Sequence, residues 1–335
     1  MNRRWLQVGL GIALLALLLW RARVWELGDT LGGFGARAAL FVLLLNLPAI
    51  GLIAVRTHFV LRRLGYRVSP LALAPVSALG NVAAVVTPGA TGDIIRAPFL
   101  KGHHAVAYSD SFATILYERT FSFCILCLST LLVVLWDLAP HALRFAIPVI
   151  GLIVLAVPPL AAMPLLSLSA WAGRTKSTRL WQRPLLHALN LGEGRWAQSL
   201  ASLMRDLRLS LIFAVLTIGV FATMVLQVWL ISDSVAVRLS AGEACIALGA
   251  SVAAGIASFL PLGLGVLDWT MTAIVQQAGA TAASATSVAI LYRATSSLPA
   301  GLLGLLGYAY LVIRLRRAES EPSPESAAAG ATDTT

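Results

Sequence analysis

Long apolar runs separated by short polar stretches dominate this chain. Runs such as 6–20, 38–55 and 209–231 are long enough, or nearly so, to cross a bilayer core of about 30 Å. The pattern therefore predicts an all-α polytopic membrane protein. The predicted membrane segments are 6–20, 38–55, 71–87, 92–107, 109–135, 144–165, 209–231, 243–260, 268–280 and 282–313.

The run 6–20 has two possible interpretations, because Arg3 and Arg4 before an apolar stretch could belong to a signal peptide. Trp20 is followed by Arg-Ala-Arg rather than by a small-residue cleavage pattern. We therefore interpret 6–20 as a retained first span.

Composition and charge narrow the class of protein further. Hydrophobic residues make up 58% of the chain and charged residues 12%, so little is left for a soluble catalytic domain. The formal net charge of +10 invites a nucleic-acid partner. However, the arginines cluster at the ends of apolar runs, which is the pattern of a membrane protein, so we expect no nucleic-acid partner.

The chain carries one unusual unit twice, over about 71–135 and about 243–313. Each copy has an apolar helix, a Pro/Gly break, an acidic residue and a second apolar helix with Tyr and Arg inside it. The helix breaks are Pro88, Gly89 and Gly92 in the first copy and Pro261, Gly263 and Gly265 in the second. Broken helices at corresponding places in two halves indicate a transporter-type binding site.

Each break predicts a particular chemistry. Proline ends a helix, and glycine permits the backbone to turn and a partner to approach closely. The helix that restarts afterwards presents unpaired N–H groups and the positive end of its dipole, which suits an anion such as phosphate. The alternative is a tight re-entrant turn with no ligand.

Charges inside the repeated units are the candidate substrate-binding groups. Each charge near the bilayer centre costs about 2.5–3.5 kcal/mol, so we expect Arg119 to pair with Asp93 or Glu118 and Arg293 to pair with Asp268. Arginine suits a phosphate headgroup because its planar fork is always charged. Alternatively the ion pairs only hold the repeats together, and the tyrosines only pack. The candidates are Arg96, Tyr117, Glu118, Arg119, Asp268, Tyr292 and Arg293.

The distribution of basic residues predicts a topology. Arg56, Arg62, Arg63 and Arg67 follow the second apolar run, and the loop 166–208 is strongly basic, so both should be cytoplasmic. Eight simple transmembrane helices, the alternative, would place 166–208 outside. If 71–107 and 243–280 are instead re-entrant pairs, six full spans put every basic cluster and both termini in the cytoplasm. The two units then form inverted repeats.

Domain organisation is simple on this interpretation. Residues 1–317 form a single transmembrane domain with the cytoplasmic basic loop 166–208, in which 196–208 has the pattern of an interfacial amphipathic helix. Residues 318–335 are too polar and too simple in composition to pack, so we expect a disordered cytoplasmic tail.

No enzyme motif is present, so we assign no catalytic residue, cofactor or metal and expect no enzymatic activity. The sequence has neither a Gly-x-Ser-x-Gly motif nor a Walker loop. Cys124-x-x-Cys127 lacks a second ligand pair, and Cys245 and the His103-His104 pair lie far from any partner set. We interpret these residues as structural.

The same ordered motifs resemble the lysylphosphatidylglycerol synthase transmembrane-region family of flippase-like membrane proteins. The resemblance covers roughly 5–315 and rests on Pro88-Gly89-x-x-Gly92-x-x-x-Arg96, Glu118-Arg119, Pro261-x-Gly263-x-Gly265-x-x-Asp268 and Tyr292-Arg293. Family members usually have Glu where Asp268 stands. The resemblance implies lipid translocation, without the aminoacyltransferase domain to which this region is fused in the synthases.

Three functions follow as hypotheses. The first is a flippase in the cytoplasmic membrane of a bacterium or archaeon, moving an anionic, aminoacylated or polyprenyl-linked lipid. The second is an accessory subunit of a separate cytosolic glycosyl- or aminoacyltransferase. The third is a structural anchor whose ion pairs only hold the fold. Each hypothesis is compatible with a homo-oligomer.

Overall fold

The computed structural model describes residues 13–14, 16–20, 34–86, 93–138, 195–260 and 263–320. These residues are helical or lie in short connections, and none of them forms a strand, so the all-α prediction is confirmed. The helices are α1 Ala36–Leu44, α2 Asn46–Arg63, α3 Pro70–Val86, α4 Arg96–His104, α5 Tyr108–Leu138, α6 Arg195–Met204, α7 Leu207–Ser234, α8 Ala241–Ala257, α9 Val266–Gln277 and α10 Ala282–Ser320.

Four helical stretches of the described chain are long and apolar enough to cross a membrane. They are Ala36–Arg63, Tyr108–Leu138, Leu207–Ser234 and Ala282–Ile313, and each corresponds to a predicted full span. Of the two other predicted spans, 6–20 is described in part and 144–165 lies outside the described residues. The chain is therefore a multi-pass membrane protein.

The second span is longer than the apolar run predicted. Leu45 keeps helical dihedral angles between α1 and α2, and the helix continues to Arg63 before Gly65 turns the chain with φ near +96°. The predicted boundary at residue 55 is therefore wrong by eight residues. Arg56 and Thr57 end the apolar run of residues, but the helix continues through them.

Both ends of the first re-entrant pair lie at one end of the bundle, the end where α2 stops and α5 and α7 begin. Arg63 donates to Asp206 at 2.6 Å, and Tyr66 donates to Asp110 at 2.7 Å. The backbone N–H of Ala107 donates to the Tyr66 hydroxyl at 3.2 Å. The chain through α3 and α4 thus leaves and returns at the same place.

The second pair does the same at the opposite end. α7 has a length of about 42 Å at about 1.5 Å per residue, so its last turn lies across the bundle from its first. There the indole of Trp229 donates to the carbonyl of Leu239 just before α8, and Leu239 shares a buried cluster with Val275 and Ala280 at the end of α9. The inverted repeat and its orientation in the membrane stay predictions from the sequence.

The amphipathic segment is helical over α6, and its apolar face packs on the protein. Leu200, Leu203 and Met204 are buried in a cluster with residues of α2, α5 and α7. Ser199 donates to Asp110 at 2.5 Å, which ties α6 to the first turn of α5. The helix ends at Met204, so it is shorter than the predicted amphipathic segment 196–208.

The two chain segments predicted to leave the membrane are described only in part. In the tail, α10 continues to Ser320. The rest of the predicted disordered tail and residues 166–194 of the basic loop lie outside the described residues.

Candidate functional site

A network of charges lies where α4 restarts the chain after the first break. Arg96 opens α4 and is 2% exposed, and its Nη1 donates to Glu118 Oε2 at 2.7 Å. Its Nη2 donates to the hydroxyl of Thr57, which donates in turn to Glu118 Oε1 at 2.6 Å. Asp93 Oδ1 lies 3.5 Å from Arg96 Nη1. Both acids are therefore within ion-pair distance of one guanidinium.

Arg119 is the accessible member of this network. Its Nε donates to Asp93 Oδ2 at 2.8 Å, as predicted, and its side chain is 38% exposed. Glu118, the other predicted partner, binds Arg96 instead. Arg119 lies about 16 Å along α5 from Tyr108 at about 1.5 Å per residue, which is near half of the bilayer core.

Arg56 was grouped with the cytoplasmic basic residues, and the structure corrects that assignment. It lies within α2, is 8% exposed, and donates from Nη1 to Ser122 at 3.0 Å and to Thr217 at 3.4 Å. Among the described residues no carboxylate forms an ion pair with it. The sequence signal was the continuing apolar stretch 59–61, which indicates that the helix runs past Arg56.

Gly80 explains how α3 approaches these charges so closely. A Cβ built on Gly80 would overlap the side chains of Arg96 and Asp93. Only glycine therefore leaves room for the network beside α3, so Gly80 permits the close packing of these charges.

The second half contains a simpler arrangement. Arg293 donates from Nε to Asp268 Oδ1 and from Nη2 to Asp268 Oδ2, both at 2.8 Å, as predicted. Asp268 is 0% exposed and also accepts from the backbone N–H of Gly265 at 3.1 Å. The N-terminus of α9 was expected to be a seat for an external anion. The carboxylate of Asp268 accepts from one N–H at that N-terminus, and the binding of an external anion there stays a prediction.

We call Arg56, Asp93, Arg96, Glu118 and Arg119 the first-half cluster, and Asp268 with Arg293 the second-half pair. The first-half cluster has three guanidinium groups and two carboxylates, a formal excess of one positive charge when both acids are ionised. Glu118, Arg119, Arg96 and Asp93 all lie near enough to Arg56 to act on its charge. The second-half pair is neutral.

The two candidate tyrosines lie in packed cores. Tyr117 contacts the rings of Phe121 and Phe213, with centroids 4.5 and 5.2 Å away, and its hydroxyl is 3.3 Å from that of Ser210. Tyr292 is buried in the cluster formed by α7 to α10. Both positions agree with the packing alternative, and neither side chain reaches the ion pairs through a described hydrogen bond.

The break residues are described in part. Pro88, Gly89, Gly92 and Pro261 lie outside the described residues. Gly263 and Gly265 have φ of +57° and +78°, so they supply the left-handed turn expected of the second break. That turn positions Asp268 in the first turn of α9.

The remaining polar candidates do not form a metal centre within the described parts of the chain. No group of three His, Cys, Asp or Glu side chains comes together there. His103 contacts the carbonyl of Leu311 and stacks on Phe99, and the cysteines at 124, 127 and 245 are free thiols. These contacts fit the structural interpretation of both motifs.

Long apolar helices around buried ion pairs define a polytopic membrane protein with polar groups at membrane depth. Residues 4–304 match the family described as Lysylphosphatidylglycerol synthase TM region, and the chain belongs to that family. No curated protein matches the chain. Membership of this family connects the chain with membrane lipids.

Proposed function

We propose that this protein is a flippase that moves a lipid with an anionic headgroup across the cytoplasmic membrane of a bacterium or archaeon. Its family supports a lipid substrate. Both termini are placed in the cytoplasm by the distribution of basic residues. The protein acts as a transporter rather than an enzyme, and candidate lipids are phospholipids, aminoacylated lipids and polyprenyl-linked lipids.

The observation that carries this proposal is the exposed guanidinium of Arg119 at mid-membrane depth. A charge so placed is costly unless it pairs or meets water, and by default it marks function. Among the described residues, Arg119 donates only from Nε, to Asp93, and its side chain is 38% exposed. Its Nη1 and Nη2 groups can therefore donate to an oxyanion without first breaking the buried network.

Exchange of partners explains how the headgroup could bind and leave. When an oxyanion replaces Asp93 as the partner of Arg119, Asp93 still has a cation beside it, because Arg96 lies 3.5 Å away. Asp93 is therefore not left as an isolated buried charge, which would cost several kcal/mol. Such a site binds an anion through Arg119, and Asp93 is available to pair with Arg119 again when the anion leaves.

Alternating access requires that the site open to each face in turn. The first pair of helices returns to one end of the bundle and the second pair to the other. Rocking of one repeat against the other around a fixed mid-membrane site is the usual mechanism of inverted-repeat transporters. In this proposal the second-half pair belongs to the packed scaffold.

The test is reconstitution into liposomes with fluorescent phosphatidylglycerol in both leaflets. Dithionite added outside destroys only outer-leaflet fluorescence, so a flippase makes the inner-leaflet lipid accessible. We expect loss of more than half of the fluorescence with the wild-type protein and with Arg62→Gln, an exposed arginine of α2 outside the cluster. Arg119→Gln should stop at the half-loss of protein-free vesicles.

Two results would contradict the flippase. The first is that no phosphatidylglycerol, aminoacylated lipid or polyprenyl phosphate moves with folded protein. The second is that Arg119→Gln moves lipid as fast as the wild type. Co-purification of a cytosolic transferase together with absence of transport would support the accessory-subunit hypothesis instead.

A further inference from the structure

Arg56 is a buried cation that forms no ion pair with any described residue, and the proposed flippase leaves it unexplained. It lies between α2, α5 and α7. Its described partners are the hydroxyl oxygens of Ser122 and Thr217 and the face of Phe213, whose centroid is 5.1 Å from the guanidinium carbon. Its Nε is buried without a hydrogen-bond partner.

Such a site is unsatisfied both in charge and in hydrogen bonds. Two neutral hydroxyls and an aromatic face compensate a guanidinium only in part, because burying an unpaired charge costs several kcal/mol. Glu118 is the acid that acts most strongly on its charge, but both oxygens of Glu118 are already bound by Arg96 and Thr57. The compensating group must come from outside the described network.

Ser122 on α5 connects Arg56 with the face of the helix that carries Arg119. Ser122, which accepts from Arg56, lies three residues after Arg119 and therefore on the same helix face. Ser122 is half-buried and Arg119 is the exposed member of the cluster. An anion held by Arg119 thus lies beside the hydroxyl that contacts Arg56.

We propose that a phosphate oxyanion binds beside Ser122 between Arg119 and Arg56, with Arg56 as the buried anchor of the site. This inference rests on the proposed function and names its ligand chemistry. Phosphate fits because guanidinium groups bind its oxygens through two parallel hydrogen bonds, and the two arginines approach from different helices. The oxyanion supplies the negative charge that Arg56 lacks.

The binding experiment uses purified protein in a neutral detergent and three probes. They are short-chain phosphatidylglycerol, the matching diacylglycerol without phosphate, and inorganic phosphate. We expect the wild type and Arg62→Gln to bind phosphatidylglycerol and not diacylglycerol. Because hydrogen bonds to a charged group contribute about 1.5–3 kcal/mol, Arg56→Gln should raise Kd by about 10- to 150-fold, and Arg56→Lys by less.

The inorganic phosphate arm separates the two sources of the ligand. If phosphate competes only at concentrations far above those of the lipid, the ligand is the lipid headgroup. If phosphate binds as tightly as the lipid and also depends on Arg56, the oxyanion site stands with free phosphate as its ligand. Equal Kd values for wild type and Arg56→Gln with every probe would overturn the proposal.

Thermal unfolding without ligand tests whether Arg56 is only structural. An anchor for an absent anion is an uncompensated charge, so Arg56→Gln should leave the ligand-free Tm unchanged or raise it while abolishing the shift caused by phosphatidylglycerol. A loss of Tm that is equal with and without lipid would contradict the anchor.

The outcomes for this inference and for the flippase differ. If the wild type binds phosphatidylglycerol through Arg56 but moves no lipid in liposomes, the flippase fails and the oxyanion site stands. If the wild type moves lipid and Arg56→Gln binds and moves it equally well, the flippase stands and the role of Arg56 is wrong.

Discussion

The two halves of this molecule contain the same ion pair with its charges exchanged. In the first half the restarting helix carries the cation, Arg96, and the long helix carries the acid, Glu118, directly after Tyr117. In the second half the restarting helix carries the acid, Asp268, and the long helix carries the cation, Arg293, directly after Tyr292. The contact is 2.7 Å in one half and 2.8 Å in the other.

What surrounds each pair differs more than the pair itself. Asp268 is saturated by Arg293 and by the N–H of Gly265. Arg96 and Glu118 instead lie beside Arg56 and beside the Asp93–Arg119 contact, which reaches solvent-accessible space. The comparison indicates that one half is closed and neutral while the other is open and positively charged. One repeated unit can therefore give a structural ion pair in the second half and the proposed binding site in the first.

The largest effect should come from breaking the closed pair. Asp268→Asn removes the charge that faces Arg293 and weakens the cap on Gly265, so we expect a loss of about 3–5 kcal/mol in unfolding free energy. Thermal or denaturant unfolding in detergent measures this. Asp268→Asn combined with Arg293→Gln should recover part of the loss, and no recovery would argue against the two residues acting as a pair.

Removing the acid of the ion pair in the first half should lower the unfolding free energy by a smaller amount. Glu118→Gln leaves Arg96 with Asp93 at 3.5 Å, so we expect a loss of about 1.5–3 kcal/mol. Exchanging the charges with Arg96→Glu and Glu118→Arg together should be more stable than either single change, because the other half uses that polarity. If Glu118→Gln destabilises more than Asp268→Asn, the contrast between the two halves is wrong.

A smaller effect is expected where α3 approaches the cluster. Gly80→Ala places a methyl group where Arg96 and Asp93 now lie, and overpacking of this kind costs about 1–3 kcal/mol. Gly51→Ala on α2 is the matched control because nothing lies within 4 Å of the added atom. Equal Tm values for the two variants would show that α3 can move away freely.

The smallest effect lies outside both repeats, at the start of α7. Asp206 caps this helix, and the N–H of Leu209 together with Arg63 holds the pKa of its carboxyl below the usual value. The capping stabilisation is therefore present above the unfolded pKa of about 3.9 and is lost as pH falls through the lower folded pKa. Asp206→Ala should cost about 1 kcal/mol near neutral pH and leave lipid binding unchanged.

Unfolding measured across pH checks the Asp206 prediction. The difference in stability between the wild type and Asp206→Ala should shrink in acid. A difference that stays constant from neutral pH to below pH 3 would mean that the carboxylate charge has no part in the cap.

Much of the fold follows from the sequence because lipid imposes simple rules. Apolar runs such as 109–135 and 209–231 lie within α5 and α7, since a spanning helix needs a long apolar stretch. The pairs Arg119–Asp93 and Arg293–Asp268 were predictable because each buried arginine had an acid close by in its own repeat.

The rest depended on contacts between distant segments. Thr57 of α2 lies outside the repeat and joins Arg96 to Glu118 through its hydroxyl, which no spacing within a repeat encodes. Arg56 was predicted to follow the second span on the cytoplasmic side because the apolar run ends at its first charge. Its partner Thr217 lies 161 positions later, so only the tertiary structure reveals that this arginine is buried.

Lipid transport by Arg119→Gln measures the central claim most directly, with the neutral double variant Asp268→Asn/Arg293→Gln beside it. Since Arg119 is 38% exposed and Arg96 remains 3.5 Å from Asp93, loss of the Arg119 charge should hardly change Tm. We predict that folded Arg119→Gln moves no phosphatidylglycerol, whereas the double variant, per folded molecule, still does. Transport that survives in Arg119→Gln and disappears in the double variant would contradict the assignment of the site to the first half.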